Sequence, residues 1–575
     1  MATRTRQRRR LGAFEVISLA VAFVLVALVG VPLVRVIIGM FWVDGALTLD
    51  PVRRTLAVPD LGTLILNTLL VVIASTAVAF VIGAFLAWVN ERTDARMGLF
   101  TDSLPLLPFL LPPVAGAVGW VMLLSPRAGL LNSWIRDALA VVGINLESGP
   151  FDIGTWYGLI WVYAVYAVPF VFLNVSAGLR SLDASLEEAS KLSGAGRWRT
   201  LRKVTLPAVA PSIGAGVLLT LWSGFGLFSI PSIIGAPAGI DVLSVRIVEL
   251  LTFTYPPETD VAVGLSAIVV VLVGIAYVLQ LRVLRSGKYA AISGKGARAS
   301  VTRLGRWRWP VRAVVLLYVF ISIVLPMIAL VLVSLNGFWT PDIDWSSLSL
   351  RAWQQSVVGD PITVRALGNS LLLGVVGATI GIAAAALVAI YVARNRGLVS
   401  RSIDAGIKLP AAISNMVIAV GILLLLAGPP FRLTGTLTIL LLGYLALYLP
   451  QASVAADAAV TAVGDELTEA SAVSGASSMR TFRRIYLPLV MPGLMAGWAL
   501  LFIRMVGDLT ASAILAGTGN TVVGFRILEV YNGGSYALLA SLATTLVVIT
   551  TLVLVVVTAY TRRKSALGIH TGMGG

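Results

Sequence analysis

EEASKLSGAGRWRTLRKVTLPAVAPSI, residues 187–213, and TEASAVSGASSMRTFRRIYLPLVMPGL, residues 468–494, say nearly the same thing 281 positions apart. Each is a charged, glycine-broken stretch in a chain of 575 residues that is 58% hydrophobic and only 12% charged, with a mean hydropathy of +0.93. That composition lies outside the balance of soluble domains and places the chain in a membrane. A hydrocarbon core about 30 Å thick asks for roughly 20 apolar residues of helix. Runs of this kind occur at 12–38, 61–89, 104–125, 155–178, 208–235, 261–281, 313–335, 366–392, 407–427, 433–456, 489–516 and 536–560, twelve spans with six per half. They are continuously apolar and lack the alternation of barrel strands, so the expected fold class is an all-α integral membrane protein. Arg4, Arg6, Arg8, Arg9 and Arg10 imitate the start of a secretory signal. The apolar run behind them exceeds the about 7–15 residues of a signal core, so an uncleaved first helix is expected.

The net charge of +16 is explained by where the basic residues fall. With the amino terminus inside, the inner segments are the tail, 90–103, 180–207, 282–312, 393–408, 461–488 and the carboxyl tail, and they hold 32 of the 43 Lys and Arg. This positive-inside bias puts both termini and both quoted stretches in the cytoplasm. A basic face of 282–312 against anionic lipid is compatible with it, and nothing points to nucleic acid. Cysteine is absent and His570 is the single histidine. Thiolate and imidazole metal sites, and any histidine-based triad, are excluded by inventory.

The duplication extends beyond the quoted stretches. An offset of 302 pairs Asn67 with Asn369, Asp102 with Asp404, Pro108 with Pro410 and Gly119 with Gly421. From Pro169 and Pro450 onward the offset is 281, pairing Glu188 with Glu469, Gly194 with Gly475, Pro207 with Pro488 and Gly216 with Gly497. The first half therefore carries an insertion of about 21 residues on the outer side, around GLLNSWIRDALAVVGINLESGPFDIG. An even number of spans per half gives the halves the same orientation, two parallel repeats. The expected division is 1–285 for the first repeat, 286–310 for a basic cytoplasmic linker and 311–575 for the second repeat.

Within the loops, Leu182, Leu186, Ala189 and Leu192 draw one apolar stripe along a short helix, and Val463, Leu467, Ala470 and Val473 repeat it. Ser185 and Glu188 have capping-box spacing, and Asp465 can cap the second copy. Gly194 and Gly475 stop the helices where a left-handed residue costs least. A basic turn follows, Arg199 to Lys203 and Arg480 to Arg484, before Leu-Pro re-enters the membrane twelve residues past each glycine. A helix, a sharp bend and a second helix at the cytoplasmic face make a docking surface; an amphipathic connector lying on the bilayer is the plainer alternative for one copy.

Glu188-Ala189-Ser190 to Gly194 and Leu206-Pro207, repeated as Glu469-Ala470-Ser471 to Gly475 and Leu487-Pro488, resembles the signature loop of ABC importer inner-membrane permeases of the binding-protein-dependent class. The third position is Ser rather than Ala in both copies. The resemblance implies that the two loops are coupling helices seated in clefts of two copies of a cytoplasmic ATPase subunit, and that an extracytoplasmic solute-binding protein delivers the cargo. It also implies a multi-pass protein of the bacterial inner membrane. No G-x-x-x-x-G-K-[ST] occurs, so ATP and Mg are expected on the partner ATPase, with no cofactor and no catalysis in this chain. The fused two-repeat arrangement resembles the ferric-iron, thiamine and aminoethylphosphonate group. The stretch from Gly507-Asp508-Leu509-Thr510-Ala511-Ser512 through Thr521 to Arg526-Ile527-Leu528-Glu529 is similar to ferric-iron permeases, which implies ferric iron as cargo.

Charges within the spans are few. Arg504 and Asp508, four apart in the eleventh run, are expected to pair on one helix face, either as a structural pair or as part of the translocation path. Hard cations prefer oxygen ligands, which agrees with the lack of thiols. Trp222, Phe225, Phe228 and Trp498 are the aromatic residues that a thiamine path would use. A secondary transporter is the main rival, but it calls for ionisable residues near midplane in several helices and has no need of repeated docking loops.

Overall fold

The structure is a computed structural model that describes residues 13–43, 46–98, 104–109, 111–182, 184–286, 301–395, 397–408, 410, 413–462, 473–474, 480, 484 and 486–570. The chain is helical almost throughout because lipid offers backbone N–H and C=O groups no partner, and a helix satisfies them within one segment. The first half runs through α1 (Ala13–Gly39), α2 (Asp50–Leu56), α3 (Leu61–Arg92), α4 (Pro113–Leu124), α5 (Leu130–Val141), α6 (Trp156–Ser181), α7 (Ala184–Leu192), α8 (Leu206–Gly226), α9 (Leu243–Val248) and α10 (Thr259–Ser286). The second half follows with α11 (Arg308–Val319), α12 (Leu325–Asn336), α13 (Pro361–Arg394), α14 (Leu398–Lys408), α15 (Asn415–Leu426), α16 (Leu437–Thr461), α17 (Leu487–Val506), α18 (Thr510–Leu515), α19 (Val523–Asn532) and α20 (Tyr536–His570). A two-residue hairpin, Trp42–Val43 with Ala46–Leu47, is the strand structure among the described residues.

Ten helical segments are long and apolar enough to cross a membrane, and α4 and α15 are two shorter apolar helices. The expectation of twelve spans is met in number, but the third and ninth are not continuous helices. In 104–125 the prolines of LPLLPFLLPP remove backbone donors and clash with the preceding turn, so a 3-10 turn at Leu104–Phe109 precedes α4. In the second half α14 stops at Lys408 and α15 starts only at Asn415. Twelve residues of helix measure about 18 Å, too short for the hydrocarbon core. Protein must therefore shield these ends, and Val114 to Met122 are buried save Val121, as are Met416 to Ile422 throughout. The fifth and eleventh spans also break, α8 ending at Gly226 and α17 at Val506.

The repeat is visible as repeated bonds. Asn67 donates from Nδ2 to the carbonyl of Asp241 (3.0 Å), and Asn369 donates to that of Thr521 (2.9 Å). One residue on, Thr68 Oγ1 accepts from the Leu243 amide (3.0 Å) and Ser370 Oγ from the Val523 amide (2.9 Å). Gly216 and Gly497 let the fifth and eleventh spans approach the spans before them, where an added Cβ would lie 3.1 Å from Asn174 and 2.7 Å from Ala455.

Packing does not respect the division into halves. The first span of each half lies against the other half, α1 on α15, α13 and α14, and α12 on α4. Two glycines make this possible. A Cβ on Gly119 would stand 2.8 Å from the Pro326 carbonyl oxygen, and one on Gly421 would stand 2.7 Å from that of Pro32. The insertion in the first half forms α5, fastened by Asn132, whose Nδ2 donates to the carbonyls of Ser125 (2.9 Å) and Phe151 (2.8 Å) while Oδ1 accepts the Phe151 amide. Asn132 itself is buried, and the insertion is exposed continuously from Val141 to Ser148.

Candidate functional site: two repeated loops and a broken centre

The first loop folds as its sequence dictates. α7 covers Ala184–Leu192, so Ser185 lies in its first turn rather than ahead of it. Gly194 has φ +75°, and the amides of Ser193 and Ala195 return to the carbonyls of Ala189 and Ser190 (3.0 and 3.1 Å), closing the helix end. A helical turn at Arg197–Thr200 then leads through Leu201–Thr205 into α8 at Leu206 and Pro207. Ser190 Oγ lies 2.9 Å from Thr200 Oγ1, tying the two limbs of the bend together. This gives the serine at the third motif position a reason, and Ser471 and Thr481 repeat the pair in the sequence.

The apolar stripe divides along its length. Leu182 is buried and Leu186 packs inward, whereas Glu188 and Ala189 are exposed and Leu192 is 90% exposed. In the second copy Val473, at the position of Leu192, is 89% exposed. Glu469, Ala470, Ser471 and Gly475, with Val463, Asp465 and Leu467, lie outside the described residues. Leu487 and Pro488 open α17 as Leu206 and Pro207 open α8.

At the centre the breaks of one half meet those of the other. A Cβ on Gly226 would lie 2.8 Å from Ser414 Oγ, and one on Gly507 would lie 2.7 Å from Pro112 Cβ. Backbone freed by the breaks is satisfied locally: the Leu227 carbonyl accepts Tyr163 Oη–H (3.2 Å) and Ser244 Oγ–H (3.0 Å). In the second half Asp508 replaces that leucine. Its Oδ1 accepts Tyr448 Oη–H (2.7 Å), and its Oδ2 accepts the amides of Ala511 (2.8 Å) and Ser512 (3.2 Å) at the start of α18.

The expected pairing of Arg504 with Asp508 is therefore corrected: the two form no ion pair among the described residues. Helix α17 ends at Val506, so they do not share a helix face, and Asp508 serves as a cap for α18. Arg504 instead crosses to the first half, its guanidinium 4.7 Å from the Phe109 ring centroid and 6.0 Å from that of Phe170. Phe109, Phe170 and Tyr448 were not legible as partners, because no spacing rule links them to Arg504 or Asp508.

The four aromatic residues considered for a thiamine path do not gather. Trp222 packs on Tyr277 of α10, Trp498 stacks on Phe502 and donates to Thr379 of α13, and Phe225 and Phe228 are in the core. Arg526 and Glu529 form an ion pair (3.2 Å), and Arg526 also binds Asp360 (2.9 Å), which caps α13. Burial opposes charge on Asp360, yet hydrogen bonds from Thr363, Ile362 and Arg526 hold its carboxyl below the usual range. Arg246 and Glu249 repeat the ion pair in the first half (3.0 Å), so this part of the stretch is architectural.

Residues 79–286 and 377–565 each match the family of binding-protein-dependent transport system inner membrane components. The chain belongs to this family. The two matches leave outside them the first span of each half, the element that packs on the opposite half. Among similar proteins, a probable ABC transporter permease of Sinorhizobium fredii is 27% identical, over 80% of this chain and 81% of its own length. A ferric-ion transport-system permease of Haemophilus influenzae is 23% identical over 83% of this chain and 86% of its own. A molybdenum transport-system permease of Escherichia coli is 32% identical over 27% of this chain and 65% of its own. The protein is thus an ABC importer-type permease of the membrane, with two parallel repeats in one chain.

Proposed function

We propose that this permease is the membrane subunit of an ATP-driven importer of ferric iron, coupled through its two cytoplasmic loops to two copies of a separate ATPase and fed by a solute-binding protein outside. The observation that carries the coupling role is the pair of apolar side chains, Leu192 and Val473, held almost fully exposed at equivalent points of the two loops. An exposed apolar side chain at equivalent points of the two halves fits a socket on a partner that is itself present twice. The repeats, 1–285 and 311–575 joined by 286–310, supply one loop each, and ATP and Mg belong to the partner.

Ferric iron is favoured because the relative named for it matches along most of the chain, whereas the molybdenum relative matches 27% of it, less than one repeat. An oxyanion is the second reading, favoured by Arg504 at the junction of the halves. The test is ATP hydrolysis and uptake by the reconstituted complex, its cognate binding protein loaded in turn with ferric iron, molybdate, thiamine and a phosphonate. Stimulation by ferric iron is expected; stimulation by another cargo and none by iron overturns the iron reading and leaves the importer standing.

The proposed topology has both termini and both loops in the cytoplasm, on the positive-inside bias of the sequence. Because the chain has no cysteine, Ser193→Cys and Ser148→Cys each supply a single thiol at an exposed position. A membrane-impermeant maleimide added to intact cells is expected to label Ser148→Cys and to spare Ser193→Cys; the opposite pattern inverts the topology.

A further inference from the structure

The acidic residue of the first loop that the structure buries is not Glu188 of the motif but its neighbour Glu187, 8% exposed. Glu187 Oε1 accepts Thr205 Oγ1–H (2.8 Å), and Oε2 lies 3.7 Å from Nη1 of Arg92, itself 3% exposed. Arg92 is the last residue of α3, a helix of 32 residues and so about 48 Å long at 1.5 Å per residue, which carries its end past the hydrocarbon. From there Arg92 reaches in two further directions. Its Nη2 donates to the Leu179 carbonyl at the end of α6 (2.9 Å), and its own carbonyl accepts the Thr302 amide (2.8 Å) from the segment leading into the second half. One buried arginine thus joins the second span, the fourth span, the first docking loop and the entry to the second repeat.

The second half builds the same node from different chemistry. Arg394 stands at the offset of 302 from Arg92 and Tyr486 at 281 from Thr205, while Glu187 is matched by Thr468, which brings no charge. The Arg394 guanidinium lies 6.0 Å from the Tyr486 ring centroid and 5.7 Å from that of Phe14 of α1. An ion pair tying the loop to the spans on one side is replaced on the other by a cation over aromatic rings.

We propose that Arg92 and Glu187 are positioning residues that carry movement of the first docking loop into the second and fourth spans, and that Arg394 on Tyr486 and Phe14 is the uncharged-partner counterpart in the second half. This rests on the coupling role proposed above. Burial keeps Arg92 and Glu187 out of water, so removing either charge strands the other, and the loop loses its stiff link to the spans. At 3.7 Å the pair is in ionic contact but short of a hydrogen bond, and among the described residues Nη1 and Nε of Arg92 have no hydrogen-bond partner. A small shift of the loop toward α3 completes the bond.

The experiment uses the full complex in nanodiscs with its ATPase, and spin labels at Tyr255→Cys and Ser535→Cys, exposed positions one in each half. The reading is the change in label distance when ATP is trapped, beside the amount of ATPase retained. Glu187→Gln and Arg92→Met are expected to retain the ATPase and to lose at least half of the distance change, while Arg92→Lys keeps most of it. Thr205→Val, which removes one hydrogen bond and keeps the volume, is expected to fall between, and it decides the matter if the charge variants fail to assemble. In the second half Tyr486→Thr is expected to reduce the response and Tyr486→Phe to leave it intact. A full distance change in Thr205→Val or Glu187→Gln, with Gly194→Asp still shedding the ATPase, overturns the inference and spares the coupling reading. If Gly194→Asp, Gly475→Asp, Glu188→Ala and Glu469→Ala all retain the ATPase as well, both fall together.

Discussion

Gly194→Asp is expected to abolish ATP-driven uptake while the membrane domain stays folded. The φ of +75° at this position suits glycine and strains a residue with a Cβ, and nothing lies within 4 Å of where that Cβ would stand. The damage is therefore conformational rather than steric. Left-handed backbone costs such a residue about 1–2 kcal/mol, and the cheapest relief is to re-aim the bend that presents Leu192. A re-aimed knob no longer meets its socket, and each 1.4 kcal/mol or so of lost complementarity lowers ATPase affinity about tenfold. Glu188→Ala removes an exposed charge beside the knob and is expected to act in the same direction, more weakly. Gly475→Asp and Glu469→Ala are expected to match their partners, since both copies carry E-A-S-x-x-S-G-A at these positions. Co-purification of the ATPase with each variant, together with uptake in proteoliposomes, provides the measurement. Normal ATPase retention and uptake in all four would remove the loops from the coupling pathway.

Gly119→Leu and Gly421→Leu are expected to unfold the junction between the halves rather than to affect coupling. A Cβ at either site would stand under 3 Å from a backbone carbonyl, and backbone cannot step aside as a flexible side chain can. Overpacking in a rigid core costs about 1–3 kcal/mol per site. The two sites are pseudo-equivalent and share no neighbour in the structure, so the double variant is expected to lose the sum of both. Gly30→Leu, in α1 at a point with nothing within 4 Å, is the control and is expected to be neutral. Thermal unfolding in detergent reads the difference. If Gly421→Leu unfolds at the temperature of Gly30→Leu, α1 does not rest on α15 as described.

Composition alone put this chain in the membrane as helices, since lipid permits no other way to satisfy continuously apolar backbone. The doubled loop and the two offsets fixed the repeat, because identical bonds such as those of Asn67 and Asn369 need identical side chains at corresponding positions. The bend at Gly194 was equally local, a matter of one residue's allowed backbone. Four things were decided only by tertiary structure. Hydropathy counts apolar residues and is blind to proline-broken helices that other protein shields, so the third and ninth spans read as whole when they are not. The pairing of Arg504 with Asp508 assumed a helix that ends between them, and their partners, Phe109 and Tyr448, come from distant parts of the chain. The exchange of first spans between halves, and the burial of Glu187 against Arg92 while Glu188 faces outward, depend on contacts across 95 or more positions of sequence, 187 against 92, for which period and spacing carry no signal.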